Sequence, residues 1–308
     1  MKLGLGLPQR TGFDLRQDVI NVAKAAEENG FASVWVFERL LFPTEPTQGL
    51  YGYPGLDWPE AYQSVAEPLV VLTAAAAVTE RVRLGTSVLV APMYRPVQLA
   101  KSLATLDQIS GGRLIAGLGT GWSEDEFAAV GVPLSGRGRE LDQALDVFEA
   151  AWGPDPVSFE GRGIRLDKAI FGPKPVSKIP VMFGGGTAKV TERVARRGDG
   201  WLPTAMPVKV TADMWNQLRE KAEGYGRDAS ALELIVRANV VLTDQPVAGE
   251  RMPFMGSLDQ VVEDFVETAR LGADEVLVDL QGQHPFPGVN WVLDTALEIK
   301  RQVDAAGV

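Results

Sequence analysis

Apolar positions follow two rhythms along the chain. Between Asp14 and Asn29 they recur at Leu15, Val19, Val22, Ala23 and Ala26, the spacing of one face of a helix. Asp14 reads as its N-cap, and Gly30 as a left-handed stop. A β-branched and aromatic run, Ser33–Phe37, follows at once. The same phrase, helix then stop then short strand, returns in AAVTER-VRLGTSVLV, LDQISGG-RLIAGLG, VARRG-DGWLP and TARLG-ADEVLVDL. Gly198 and Gly272 stand where Gly30 stands in the first unit. Pro96 predicts the first turn of one helix, and Ser257 with Gln260 predicts a capping box on another. The strands expected are Leu3–Leu7, Ser33–Phe37, Leu84–Val88, Leu114–Gly117, Val181–Phe183, Gly200–Leu202, Glu233–Leu242 and Glu275–Leu280, each followed by a helix. Strands alternating with helices make parallel βαβ units. Eight of them predict an α/β fold, a closed (β/α)8 TIM barrel with an open doubly wound sheet as the alternative.

Two connections are long for such a barrel, about 39–67 and about 153–178, inside what reads as a single domain over residues 1–308. The first carries Tyr51, Tyr53, Trp58 and Tyr62 among four prolines. It follows the second strand, so it falls on the C-terminal, catalytic face, and its aromatic content favours an active-site lid over a disordered insertion. The second contains VSFEG-RGIRL, a small hairpin to which no chemistry is assigned.

Composition narrows the chemistry. There is no Cys and one His, His284, which excludes thiol catalysis, disulfides, Cys-type or His-rich metal sites; no metal is expected. A formal net charge of −10 disfavours nucleic acid and anionic membranes as partners. No signal-peptide pattern or membrane-length apolar run is present, so a cytoplasmic protein is expected. The apolar helix PLVVLTAAAAV lacks a polar face, which predicts burial on more than one side and a homodimer.

The candidate residues lie after strands. GLGTGW, Gly117–Trp122, is not a dinucleotide fingerprint, because Trp122 holds its last position. FGGGTAKV places Gly184, Gly185, Gly186 and Thr187 between a strand and a helix start, which suits either a tight βα turn or a phosphate cradle. Glu38 and Arg39 end the second strand, where they could orient a ligand or form a rim salt bridge. His284 sits in the loop after the eighth strand, where solvation is the ordinary state of a loop histidine.

The segment LGTSVLVAPMYRPVQLAKSLATLDQISGGRLIAGLGTGWSEDEFAAVGVP, Leu84–Pro133, resembles the core signature of the bacterial luciferase-like oxidoreductases, in the branch that uses the deazaflavin coenzyme F420. LGLGLP, NGFASVWVFERL, RGRELDQAL, FGGGTAKVTERVARRGDGWLP and GSLDQVVEDFVETARLGADEVLVDL extend the resemblance over nearly the whole chain. It implies a flavin-like ring over the C-terminal ends of the strands and a non-proline cis peptide in the third strand, at Ser87–Val88. It implies that Gly119, Thr120 and Gly121 line the cofactor and that Gly184 to Thr187 hold its phosphate; Glu38, from its place at the end of the second strand, is a further candidate cofactor contact. The sugar-phosphate dehydrogenases of that branch end the second strand in Asp-His and carry an acid after the fourth-strand glycines. Glu38, Arg39 and Trp122 stand there instead, so a different substrate is expected, with Arg39 and Trp122 as candidate catalytic residues facing an anionic or planar group. A small-molecule substrate and hydride transfer with coenzyme F420 follow from the resemblance. The alternatives are an FMN-dependent monooxygenase and a non-catalytic flavin-binding barrel.

Overall fold

Eight parallel strands close on themselves in the computed structural model, which describes residues 1–204 and 206–308. In chain order the elements begin with β1 (Lys2–Gly6), α1 (Asp18–Glu28), β2 (Ser33–Val36), α2 (Pro68–Ala76), β3 (Arg83–Thr86), β4 (Leu89–Val90) and α3 (Pro96–Ser110). They continue with β5 (Leu114–Gly119), α4 (Glu124–Ala129), α5 (Arg137–Trp152), β6 (Val157–Gly161), β7 (Ile164–Ala169), β8 (Val181–Gly184) and α6 (Ala188–Arg197). The last are β9 (Gly200–Leu202), α7 (Val208–Gly224), β10 (Glu233–Asn239), β11 (Val241–Leu242), β12 (Met255–Gly256), α8 (Leu258–Arg270), β13 (Glu275–Asp279) and α9 (Val289–Ala305). The barrel runs β3-β2-β1-β13-β10-β9-β8-β5, and β5 pairs back onto β3. Strands β6 and β7 form the expected antiparallel hairpin outside it.

Alternation along each strand sorts the core into two parts. Leu3, Leu5, Val34, Val36, Leu114, Ala116, Val276 and Val278 point outward and pack under the helices. Trp35, Ile115, Met182, Leu202, Ile235 and Leu277 point inward and fill the barrel. The Trp35 indole fits because β3 offers no side chain opposite it: a Cβ on Gly85 would lie 2.3 Å from the ring. Among the described residues no helix is long and apolar enough to cross a membrane.

Several boundaries differ from those expected, each for a physical reason. Helix α1 starts at Asp18, with Gln17 as N-cap. Asp14 instead accepts from the backbone N–H of Arg16 and Gln17 in a preceding turn, which leaves Leu15 exposed. Gly30 and Gly272 do have positive φ, but Gly198 is extended at φ −83°. Gly198 is small because a Cβ there would stand 3.0 Å from the Phe183 ring. The third strand breaks at Ser87–Val88, whose peptide bond is cis, and resumes as β4. The seventh splits into β10 and β11, and β11 leaves the barrel to pair with β12. Pro96 and the Ser257–Gln260 capping box are as expected.

Candidate active site

The C-terminal end of the barrel, its mouth, is built from single residues at strand ends. Glu38 follows β2 and is buried, 7 % exposed. Its carboxylate accepts from the Val90 backbone N–H and from the Tyr94 hydroxyl, so it holds the segment just after the Ser87–Val88 bond. Burial pushes the Glu38 carboxyl up to about 7, against the pull of those two donors, and burial also pushes the Tyr94 hydroxyl up. From the other side Arg237, at an inward position of β10, donates Nη1 to the Ser87 carbonyl at 2.5 Å. Its Nη2 pairs with Asp279 at the end of β13, and its guanidinium lies 5.2 Å from the Phe37 ring centre. Burial draws the Arg237 guanidinium down, but the adjacent Asp279 outweighs it and the group is held above its ordinary value. Two ionisable side chains, buried Glu38 and half-buried Arg237, therefore clasp the bulge between β3 and β4.

The Val88 side chain projects from that bulge between two glycines. A Cβ on Gly119 would stand 2.6 Å from Val88 Cγ2, and one on Gly184 2.8 Å from Val88 Cγ1. Part of the glycine richness after β5 and β8 is thus spent on seating Val88. Gly121 has φ +70°, and a Cβ there would meet Val90 and Phe127 at 2.5 and 2.8 Å. The backbone that remains open is Gly185 to Thr187, which is exposed ahead of α6. The Thr187 hydroxyl caps that helix by accepting from Val190 N. The N–H groups of the helix's first turn that lie beyond the cap have no intrahelical acceptor, and the positive end of the helix dipole is there. Gly185 has φ +107°, so any side chain at that position is strained whatever its charge.

The insertion between β2 and α2 folds back as a cap. Thr47 donates both N–H and hydroxyl to Asp125, and Gln48 donates to the Trp122 carbonyl at 2.6 Å. Trp58 is buried, donates to the Gln48 carbonyl, and lies 4.9 Å from Trp122, centre to centre. Arg39 sits beneath these rings, 5.0 Å from Trp122 and 5.7 Å from Trp58. Its Nη1 is 3.3 Å from the buried Glu126 carboxylate, and its Nε donates to the Glu38 carbonyl. Burial raises the Glu126 carboxyl, with Arg39 opposing. Arg39 and Trp122 are brought together, and their contacts are to the cap and to α4. His284 is exposed in the loop after β13.

Sequence reasoning missed four mouth residues. Gln9 donates to the Phe37 and Ala66 carbonyls and accepts from Phe37 N, which ties β1, β2 and the base of the cap together. Arg10 is buried next to it. Arg237 and Asp279 complete the set. The available signal was a lone charge at an inward position of an otherwise apolar strand, as in LIVRAN and VLVDL.

With this geometry in view, comparison with known proteins is specific. The sequence profile described as luciferase-like monooxygenase matches residues 4–271. An uncharacterized protein of Mycobacterium tuberculosis is 36% identical over 206 residues, covering 63% of this chain and 72% of that one. A protein named F420-dependent glucose-6-phosphate dehydrogenase, from Kineococcus radiotolerans, is 31% identical over 273 residues, covering 83% of this chain and 75% of its own length. Among solved structures, an F420-dependent secondary alcohol dehydrogenase in complex with an F420-acetone adduct superposes with a TM-score of 0.76 at 20% identity, covering 98% of this chain and 99% of that one. At that identity the likeness speaks for the fold.

Proposed function

The chain belongs to the luciferase-like monooxygenase family, and on that premise we propose that it is a coenzyme F420-dependent oxidoreductase passing hydride between the deazaflavin and a small organic substrate. The observation that carries this reading is the pairing, on one barrel face, of the Val88 platform with the exposed Gly185–Thr187 turn. The turn suits the group because its backbone is bare of side chains where a Cβ would intrude, and its donors are N–H groups at a helix start. When bound, the deazaflavin supplies a ring carbon that donates or accepts hydride.

This chain's residues then have distinct tasks. Val88 supports the ring, with Gly119 and Gly184 giving it room. Gly185, Gly186 and Thr187 hold the phosphate. Glu38 and Arg237 fix the bulge that presents Val88, through Val90 N and the Ser87 carbonyl. The cap, pinned by Thr47, Gln48 and Trp58, excludes water from the mouth. Arg39 and Trp122 brace the cap against α4, and Thr120 and Gly121 line the approach beneath it. Glucose 6-phosphate, in the name of the Kineococcus relative, is not the substrate in this reading, because Arg39 and Trp122 replace the base and acid that the dehydrogenases of that kind present. We further propose a homodimer through α2, where Val70 is 68 % exposed on an apolar helix; sedimentation at micromolar concentration tests it, and a monomer there would refute it.

A second reading, FMN as cofactor, is separated by titration. Oxidised F420 and FMN are titrated into the purified protein under one set of conditions. The proposal expects F420 to bind at least a hundredfold more tightly. Copurifying FMN that F420 cannot displace would overturn it.

A further inference from the structure

Arg10 differs from the other arginines of the mouth. It is 5 % exposed, and no carboxylate among the described residues is within ion-pair distance of it. Nη1 donates to the Thr11 carbonyl at 3.1 Å and Nη2 to the Gln283 carbonyl at 3.4 Å, while the buried Nε has no partner. The Phe286 ring centre is 4.6 Å from the guanidinium and that of Phe13 is 5.8 Å away. The carboxylate whose field reaches Arg10 is Asp279. Asp279 is already committed: one oxygen pairs with Arg237 and the other accepts from the Gln281 backbone and amide. Asp279 is thus taken up by Arg237, and Arg10 has no carboxylate of its own. Arg39, by contrast, has Glu126 at 3.3 Å, so its charge is answered within the fold.

Burying a cation without a counter-ion is costly, and carbonyl dipoles and ring faces offset only part of that cost. The edge of Arg10 formed by the orphaned Nε and the long-bonded Nη2 is a two-donor fork, the shape that meets a carboxylate through two parallel hydrogen bonds. We propose that Arg10 anchors a carboxylate on the substrate, which makes that substrate a small organic acid with a planar or apolar body lying against Phe13 and Phe286. The inference rests on the reading of the mouth as the reaction site. Phe286, half-buried in the 281–288 loop, moves off the guanidinium when the site fills.

Benzoate and its neutral counterpart benzamide are the probes, titrated calorimetrically into the full chain with and without F420. Wild type is expected to bind benzoate at least tenfold more tightly than benzamide. Arg10→Met is expected to abolish that preference while leaving benzamide binding and F420 binding unchanged. Equal binding of the two probes to wild type, or no benzoate binding, overturns the proposal, as does a preserved preference in Arg10→Met. Should Arg10→Met fail to fold by circular dichroism, Arg10→Lys decides, since it keeps the charge and loses the fork. A threefold or greater fall in benzoate affinity alone then supports the proposal, and an unchanged preference overturns it. If F420 fails to bind wild type while the Arg10-dependent preference persists, the cofactor reading fails and the carboxylate site stands.

Discussion

The two ends of this barrel both hold arginine, half-buried Arg83 at one end and buried Arg10 at the other, and they treat it differently. At the floor, Arg83 donates Nη1 to both oxygens of Glu233, at 2.9 and 3.1 Å, and Nη2 to Glu275 at 3.1 Å. Glu275 is fully buried and also accepts from the Trp35 indole at 3.0 Å and from the Ser33 hydroxyl. One guanidinium there meets two carboxylates through both of its terminal nitrogens. At the mouth, Arg10 Nε, Arg39 Nη1 and Arg237 Nε each lack a hydrogen bond, and of these only Arg39 Nη1 faces a carboxylate, Glu126 at 3.3 Å. Among the described residues these are all the buried side-chain polar atoms that lack a partner. Unsatisfied buried donors are rare in folded proteins and cost about 1–3 kcal/mol each. Their confinement to one end separates a floor whose arginine is matched by two carboxylates from a mouth where Arg10 and Arg237 each keep a buried Nε unbonded, the end at which a ligand is proposed.

The largest expected effect tests that contrast through stability. Arg83→Met strands the Glu275 carboxylate in the barrel and should cost about 3 kcal/mol in chemical denaturation. Arg10→Met strands no carboxylate and should cost less than about 1 kcal/mol. Equal losses would dissolve the distinction between the two ends.

Glu38 sharpens the contrast through pH. Its carboxyl is raised to about 7, so the folded state binds a proton that the unfolded state has already released. The stability this contributes is complete below the ordinary glutamate range and is lost as pH rises from about 4.5 to about 7. Over that window the wild type should lose on the order of 3 kcal/mol relative to Glu38→Gln. Parallel stability profiles for the two proteins would show that Glu38 does not titrate in its buried setting.

Smaller effects concern binding. Arg237→Met releases the Ser87 carbonyl and should weaken F420 at least tenfold with the barrel intact by circular dichroism, while Arg237→Lys recovers part of the loss. Gly186→Asp places a carboxylate in the exposed turn, with the flexible ends of Met206 and Met214 at 3.0 and 4.0 Å from its Cβ. Like charges at such range repel by about 1–4 kcal/mol, so a tenfold loss of F420 is expected, and Gly186→Ala should lose less than threefold. Equal losses in Asp and Ala would point to shape alone.

How far these features were legible in the sequence follows from their locality. The barrel was legible because each βα unit is written in adjacent residues, and the turn at Gly184–Thr187 because three glycines precede a helix stripe. The meaning of Gly119 and Gly184 was hidden, since the Val88 methyls that need the space come from a different strand. Arg10, Arg237 and Asp279 converge across gaps of more than two hundred residues between the first and last, and no local motif announces them. Arg39 stood out by its position after a strand, but Glu126 and the two indoles that surround it are supplied by α4 and the cap.

The assignment of the mouth is tested most directly by a crystal structure of the protein soaked with F420. The account predicts ring density packed on Val88 and phosphate density against the backbone of Gly185 to Thr187. Density for the ring away from Val88, or for the phosphate away from that turn, would contradict it.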